Sequence, residues 1–331
     1  MEYRPDVLAD IEVRVRAALP QWGLSPATAV TLLNLSENAT YRLDDPADGR
    51  RLVLRVHRIG YRTAAEIESE LAWIRALRAG GAVETPAPVA GPDGGAVRLL
   101  PGSATDPARH AVAFDFAPGK EPGHADDLVA WFRTLGAVTA RMHAHVRAWP
   151  LPDGFHRQHW DFEAMFGARP IWGSWRAGFG LDASGAALLE RALALIDRRT
   201  RRFGRAPGRY GLVHADLRLA NLLVDDQRLT VIDFDDCGFS WLVYDFAAAV
   251  SFMEDDPLVP AMADAWVAGY RTVLPLADAD VAEIPVFLMM RRILLVGWLA
   301  SHHEVPIAAQ LGAGYTHGTL AMAERLLGQF S

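Results

Sequence analysis

The stretch GLVHADLRLANLLVDDQRLTVIDFDD, residues 211–236, decides how the rest of the chain is read. GLVH (211–214), LLV (222–224) and LTVIDF (229–234) are apolar, β-branched runs, and DDQR joins the last two as a turn. One strand therefore delivers Asp216 to a loop, Asn221 follows it, and a tight hairpin returns Asp233 to the same place. A carboxylate and an amide oxygen converging at a hairpin mouth make an oxygen-only site, which suits Mg²⁺ carried on phosphates. A second carboxylate that does not ligate the metal is then able to accept a hydroxyl proton.

Upstream of this stretch, TAVTLLNL (28–35), NATYRLDD (38–45) and RRLVLRVH (50–57) read as strands. A helix starts at Thr63, an N-cap with Glu66 three residues on. It keeps Ile67, Leu71, Ile74 and Leu77 at helical spacing until Gly80 and Gly81. GAVRLL (95–100) and HAVAFDF (110–116) are two further strands, and APGKEPG (117–123) continues neither strand nor helix. Beyond it, DDLVAWFRTLGAVTARMHAHV (126–146) and ASGAALLERALALIDRRTRRF (183–203) have helical periodicity. From Val243 onward the chain is helical in pattern, with breaks near Pro257, Pro275 and Pro306. The expected architecture is α+β in two lobes: a small antiparallel-sheet lobe over 1–116, a connector over 117–123 and a larger, mainly helical lobe over 124–331.

The 33 Lys and Arg against 40 Asp and Glu leave a net charge of −7, which argues against nucleic acid as the main partner. Cys237 is the one cysteine, so no internal disulfide framework exists and a reducing compartment is expected. MEYRPDVLADIEVRV at the start alternates charged and apolar residues and has no secretory apolar core. The apolar run VFLMMRRILLVGWLA carries Arg291 and Arg292 in its middle, and WLVYDFAAAVSFM carries Asp245. A cytoplasmic protein with no membrane and no nucleic-acid partner is expected; the sequence carries no signal for an oligomeric state. Lys120 is the only lysine. Any chemistry that normally uses a lysine must use that residue, use an arginine, or be absent.

HADLRLAN (214–221) followed by IDFDDCG (232–238) and YDFA (244–247) resembles the protein-kinase superfamily, in particular its aminoglycoside phosphotransferase and choline kinase branch. That branch characteristically has H-[GA]-D-x-x-x-x-N, then I-D-[FW]-[DE]-[DEN]-x-G, then Y-D-[LF]-A. SENATYRL, LVLRVHR and FDDCGFSWLVYD are most similar to homoserine-kinase-like and stress-response-kinase-like members. The resemblance implies a two-lobed kinase-like fold and transfer of the γ-phosphoryl of ATP, with Mg²⁺, to a hydroxyl of a small molecule. Asp216 would be the catalytic base or orienting carboxylate, and Asn221 and Asp233 would hold the metal. His214 would hold the loop, and Asp245 would fix it by hydrogen bonds. Asp235 and Asp236 read as site carboxylates or, equally, as mere caps or solvated charges, and Cys237 as a buried inert thiol.

For the nucleotide, the resemblance implies a strand-borne lysine paired with a helix glutamate. The matching strand position is Arg55, whose planar fork grips phosphate with altered geometry, and the glutamate would be Glu70, with Glu66 second. The phosphate-covering turn, Leu35 to Thr40, has no glycine, so its backbone amides and the Ser36 and Asn38 side chains would cradle phosphate. Phe116 and Ala117 stand where the family's backbone meets adenine.

The acceptor region, residues 155–180, holds Trp160, Trp172 and Trp175. Aromatic faces can cage an ammonium, but ordinary packing is expected for at least two of the three. Asp161 and Glu163 against Arg157, Arg169 and Arg176 form no acidic trough for a polycationic aminoglycoside, which favours an amino alcohol or hydroxy amino acid. His302 and His303 read as helix-surface residues. Three rivals remain. A protein Ser/Thr kinase is disfavoured by the short chain between Asp233 and Asp245. A two-metal phosphohydrolase would use His214, Asp216, Asp233 and Asp235. A degenerate nucleotide-binding homologue is the reading that the missing lysine favours.

Overall fold

The computed structural model describes residues 4–330 apart from Thr105 and His124. The chain divides into two units. The first runs to Pro118 and takes in Leu151–His156, and the second comprises Gly119–Pro150 and Arg157 onward.

In the first unit, period-two burial sets the sheet. Strands β1 (Ala29–Leu35), β2 (Ala39–Asp44) and β3 (Arg51–Val56) form an antiparallel meander. Helix α2 (Ala64–Ala79) follows, then the short β4 (Pro88–Val89) and β5 (Arg98–Leu100), and β6 (Arg109–Asp115). The order is β1-β2-β3-β6-β4, with β5 pairing β6, all antiparallel. Ala39, Tyr41 and Leu43 of β2 are buried, and the residues between them are only partly so, which is the signature of a half-buried strand. Thr63 caps α2 through the expected capping box. Its hydroxyl accepts from the Glu66 amide at 3.3 Å, while the Glu66 carboxylate accepts from the Thr63 amide at 2.8 Å.

Helix α1 (Pro5–Ala18), which precedes the sheet, was not expected from the sequence. Its alternating charge hides a helical stripe, for Val7, Ile11, Val15 and Ala18 recur at spacings of three and four and pack with Tyr41, Leu43, Leu54 and Ala113 in one core. The two-residue β4 was also unforeseen, being too short to register as a pattern.

The second unit is built on helices. These are α3 (Leu128–Ala148), α4 (Phe162–Phe166), α5 (Ala183–Phe203), α6 (Tyr244–Ala249), α7 (Val259–Tyr270), α8 (Asp278–Val281), α9 (Ile284–Ser301) and α10 (Pro306–Gln329), the last kinked at Gly312. Between α5 and α6 lie β7 (Tyr210–Val213), the hairpin β8 (Leu222–Asp225) and β9 (Arg228–Val231), and β10 (Gly238–Trp241), which pairs antiparallel with β7. The pairing of β10 was not legible locally, because its partner lies before the hairpin. α3 and α7 cross at glycines: a Cβ at Gly136 would stand 2.0 Å from the Trp266 carbonyl oxygen, and one at Gly269 1.9 Å from that of Arg133.

Helix α9 lies within a stretch, Asp278–Ser301, that is long and apolar enough to cross a bilayer, yet most of that stretch is buried inside the protein. Its Arg291 and Arg292 pair with Asp216 and Glu254, so its apolar surface serves a core.

Ile11 is fully buried where α1 meets the sheet. Ile11→Ala is expected to lower the unfolding free energy by about 3 kcal/mol, as read from chemical denaturation.

Candidate active site

The turn after β7 is sharply bent. Ala215 has φ 66°, a left-handed conformation that costs a residue with a Cβ about 1–2 kcal/mol, and the surroundings hold it there. Asp245, in the first turn of α6 and fully buried, accepts the Ala215 amide at 2.7 Å and the His214 amide at 3.3 Å. The same carboxylate lies 3.0 Å from Nε2 of His143, whose Nδ1 meets the Tyr270 hydroxyl at 2.9 Å. Asp245 thus fixes the loop as expected. His214 is structural: its Nε2 donates to the Ile232 carbonyl at 3.2 Å and its Nδ1 accepts the Asp216 amide at 3.3 Å. Complete burial pulls its pKa below the ordinary histidine value, against the pull of Asp245, Asp216 and Asp233, which keeps the ring neutral.

Asp216 is 8% exposed and held at both oxygens. Oδ1 accepts from Nη2 of Arg291 at 2.7 Å, and Oδ2 accepts from Nδ2 of Asn221 at 2.7 Å and from Nε of Arg218 at 3.2 Å. Burial alone would raise its pKa, but the charges of Arg218 and Arg291 outweigh that effect and hold the carboxyl below the ordinary range. The group is an ionised, oriented acceptor.

Nδ2 of Asn221 also donates to the Asp216 carbonyl at 2.8 Å, and its Oδ1 is the atom that would meet a cation. The pairing of Leu222 with Val231, and an Ile232 amide bond to the Asn221 carbonyl at 2.9 Å, bring Asp233 to the same end of the hairpin. Asp233 is exposed and, at φ 60°, turns out of the strand. These ligand atoms are all oxygen, as Mg²⁺ requires. Among the described residues no group of three or more His, Cys, Asp or Glu is placed to hold a metal. A cation on Asn221 and Asp233 would therefore complete its shell with phosphate and water oxygens, as a nucleotide-borne ion does.

In the first unit Arg55 is 5% exposed, and its Nη2 donates to both oxygens of Glu70 at 2.7 and 2.6 Å. Glu66 is used in the α2 cap, so Glu70 is the glutamate that meets the arginine. The Ser36 amide bonds the Asn38 carbonyl at 3.2 Å, closing the turn between β1 and β2. The Asn38 side-chain oxygen accepts the Arg58 amide at 3.1 Å, so this side chain also ties the turn to the chain beyond β3. Phe116 lies just past β6 with the Arg51 guanidinium 4.6 Å from its ring centre, and Ala117 follows it. Lys120 lies in the second unit, exposed and 3.4 Å from Asp126.

Several side chains sit differently from their sequence reading. His302, the C-terminal cap of α9, is buried and stacked on Trp298 at 4.8 Å, so it is not a surface residue; His303 is exposed. Trp160, Trp172 and Trp175 are all buried, one more than the minimum expected. Arg157, 2% exposed, donates to the carbonyls of Cys237 at 2.7 Å and of Asp235, pinning the segment after Asp233. Cys237 is a buried thiol outside any disulfide. Neither Arg157 nor Arg291 was legible as a site residue, since each lies dozens of positions from the loop it holds.

Comparison with known proteins places this geometry. The phosphotransferase enzyme family matches residues 29–279, and the chain belongs to that family. The solved structure of a microcompartment-associated aminopropanol kinase is 44% identical, with a TM-score of 0.88 over 97% of this chain and 98% of that one. Amicoumacin kinase of Bacillus subtilis (strain 168) is 26% identical over 275 residues, 80% of this chain and 78% of its own. A solved amicoumacin kinase, hAmiN, in complex with AMP-PNP, Ca²⁺ and Ami, is 25% identical, with a TM-score of 0.79 over 96% of each chain. The fold is kinase-like, and the chain is a small-molecule kinase, a phosphotransferase with an alcohol acceptor, using ATP and Mg²⁺; it is not a protein kinase.

If Arg55 serves the nucleotide, Arg55→Ala should weaken Mg-ATP binding strongly. Arg55→Lys should rescue it only in part, because an ammonium lacks the fork that engages Glu70 and phosphate together. Nucleotide titration of both variants decides this, and wild-type affinity in Arg55→Ala would move the nucleotide site elsewhere.

Proposed function

We propose that the acceptor is a small amino alcohol, of the aminopropanol kind, or a hydroxy amino acid, and that the enzyme works in the cytoplasm without a membrane or nucleic-acid partner. The observation that carries the acceptor class is the 44% identity to an aminopropanol kinase over nearly the whole of both chains. The charge balance of residues 155–180 supports it. Asp161 caps α4 and pairs with Arg205 at 2.8 Å, so its charge is already neutralised and no acidic trough for a polycation forms there. The three buried tryptophans form no open cage of aromatic faces for an ammonium.

In this reading Asp216 orients the acceptor hydroxyl and takes its proton as the oxygen bonds to the γ-phosphorus. The bond to the bridging oxygen breaks, and its electron pair leaves with ADP. Asn221 and Asp233 hold the Mg²⁺, which supplies charge neutralisation on the phosphates. Arg55, oriented by Glu70, engages phosphate, assisted by the backbone and side chains of Ser36 and Asn38, while Phe116 and Ala117 border the base. The lobes are proposed as 1–116 and 124–331, joined by 117–123.

Three experiments test this. ADP release with Mg-ATP should be stimulated by aminopropanol, ethanolamine or homoserine and far less by kanamycin; stimulation by kanamycin alone would overturn the acceptor class. Asp216→Asn should lower turnover by about 10²- to 10⁴-fold while binding nucleotide normally. Asp233→Ala should instead abolish the Mg²⁺ dependence of ATP affinity, and a wild type that binds ATP equally with and without Mg²⁺ would remove the metal assignment.

A further inference from the structure

Adjacent arginines on α9 lead to different places. Arg292, 2% exposed, pairs with Glu254 at 2.7 Å and lies 3.6 Å from the Tyr315 ring centre, within the helical core. Arg291, 1% exposed, points its fork at the catalytic turn. Nη2 reaches Oδ1 of Asp216 at 2.7 Å, and Nη1 reaches the Ala215 carbonyl and the Tyr244 hydroxyl, both at 3.2 Å. Nε donates to the Ser251 hydroxyl at 2.9 Å, and the guanidinium lies 4.9 Å from the Trp172 ring centre.

The partners divide by purpose. Tyr244, Ser251 and Trp172 lock the guanidinium itself; Ala215 and Asp216 receive it. Burying an arginine this deeply is expensive unless every contact is well made, and an apolar side chain would fill a core helix more cheaply. The other oxygen of Asp216 is held from its own loop, by Asn221 and Arg218. The contact to Oδ1 therefore comes from a rigid helix distant in sequence, and it simultaneously fixes the carbonyl of the left-handed residue preceding the carboxylate.

We propose that Arg291 is a positioning residue for phosphoryl transfer, which sets the direction of the Asp216 carboxylate by holding Oδ1 and the Ala215 carbonyl in one fork. The proposal depends on the kinase reading only through the role of Asp216. A fork is required: the lysine ammonium is a single point and cannot replace the planar set of contacts, so charge alone does not restore the geometry. The same reasoning assigns Arg292 no part in the chemical step, although it is buried as deeply.

The test is a double-mutant cycle read in single turnover. Arg291→Lys should bind Mg-ATP and acceptor near wild-type affinity while the transfer step slows by about 10²-fold, the scale of a small misplacement of a reacting group. In an Asp216→Asn background the same substitution should cost almost nothing further, because its effect passes through the carboxylate. Arg292→Lys should leave the transfer rate unchanged even if it lowers the melting temperature. Tyr244→Phe, which removes one anchor of the guanidinium and keeps its charge, is the second variant should Arg291→Lys fail to fold. It should show a smaller loss that likewise vanishes with Asp216→Asn. A wild-type transfer rate in Arg291→Lys would overturn the proposal, as would a loss of equal factor with and without Asp216. Failure of the amino-alcohol reading would appear separately, as a wild type that no such acceptor stimulates, and the cycle would then be read on transfer from Mg-ATP to water.

Discussion

One buried carboxylate, Asp245, governs the loop that carries Asp216. It accepts two consecutive amides, those of His214 and Ala215, and so fixes the chain where Ala215 must adopt a left-handed conformation. Consecutive amides pointing at one oxygen pair require this bend, and the bend is what sends Asp216 out of the line of β7. Each further feature of the site follows from it. His214, turned inward, bridges to Ile232 and fixes the hairpin; Asn221, five residues past the turn, folds back on Asp216; the hairpin register then decides where Asp233 emerges. Left unsolvated and unpaired, a carboxylate at this depth would strongly destabilise the fold, so its partners His143, His214 and Ala215 are fixed as firmly by Asp245 as it is by them.

What the sequence disclosed and what it hid separate along chain distance. Asp216, Asn221 and Asp233 fall within one loop and hairpin, and local rules of strand and turn suffice to bring them together. The α2 cap is equally local, since Thr63 and Glu66 lie within one turn of helix. By contrast, the partner of β10 is β7, across an intervening hairpin, and α1 reveals its apolar stripe only once a sheet exists to receive it. Arg291 is the sharpest case. Along the chain it reads as an interruption of an apolar run; in the fold it is paired with Asp216. His302 shows the converse, a polar residue that reads as surface and that the helix end buries against Trp298.

A nearly lysine-free chain places unusual demands on arginine. Arg55 meets both oxygens of Glu70, Arg109 meets both oxygens of Asp106, and Arg292 meets Glu254, each pair buried within its own unit. A planar guanidinium is more weakly hydrated than an ammonium and matches a carboxylate edge to edge, so it is the cation better suited to burial. At Arg55 both contacts to Glu70 are made by the same Nη2.

The electrostatics of Asp216 bear on what kind of catalyst this is. Two arginines hold its carboxyl below the ordinary range despite burial, so in the role proposed for it Asp216 would meet the acceptor hydroxyl as a weak base. A reaction that needed an alkoxide before bond formation would be poorly served by such a group. Phosphoryl transfer passes through a loose transition state with little bond to the incoming oxygen, and the proton becomes acidic only late, as the new bond to phosphorus forms. Strong basicity early would add nothing, whereas a fixed direction for the hydroxyl lone pair matters throughout. Arginines that lower basicity and tighten orientation are therefore consistent with one another, and both follow from placing forked donors around a carboxylate that must point one way.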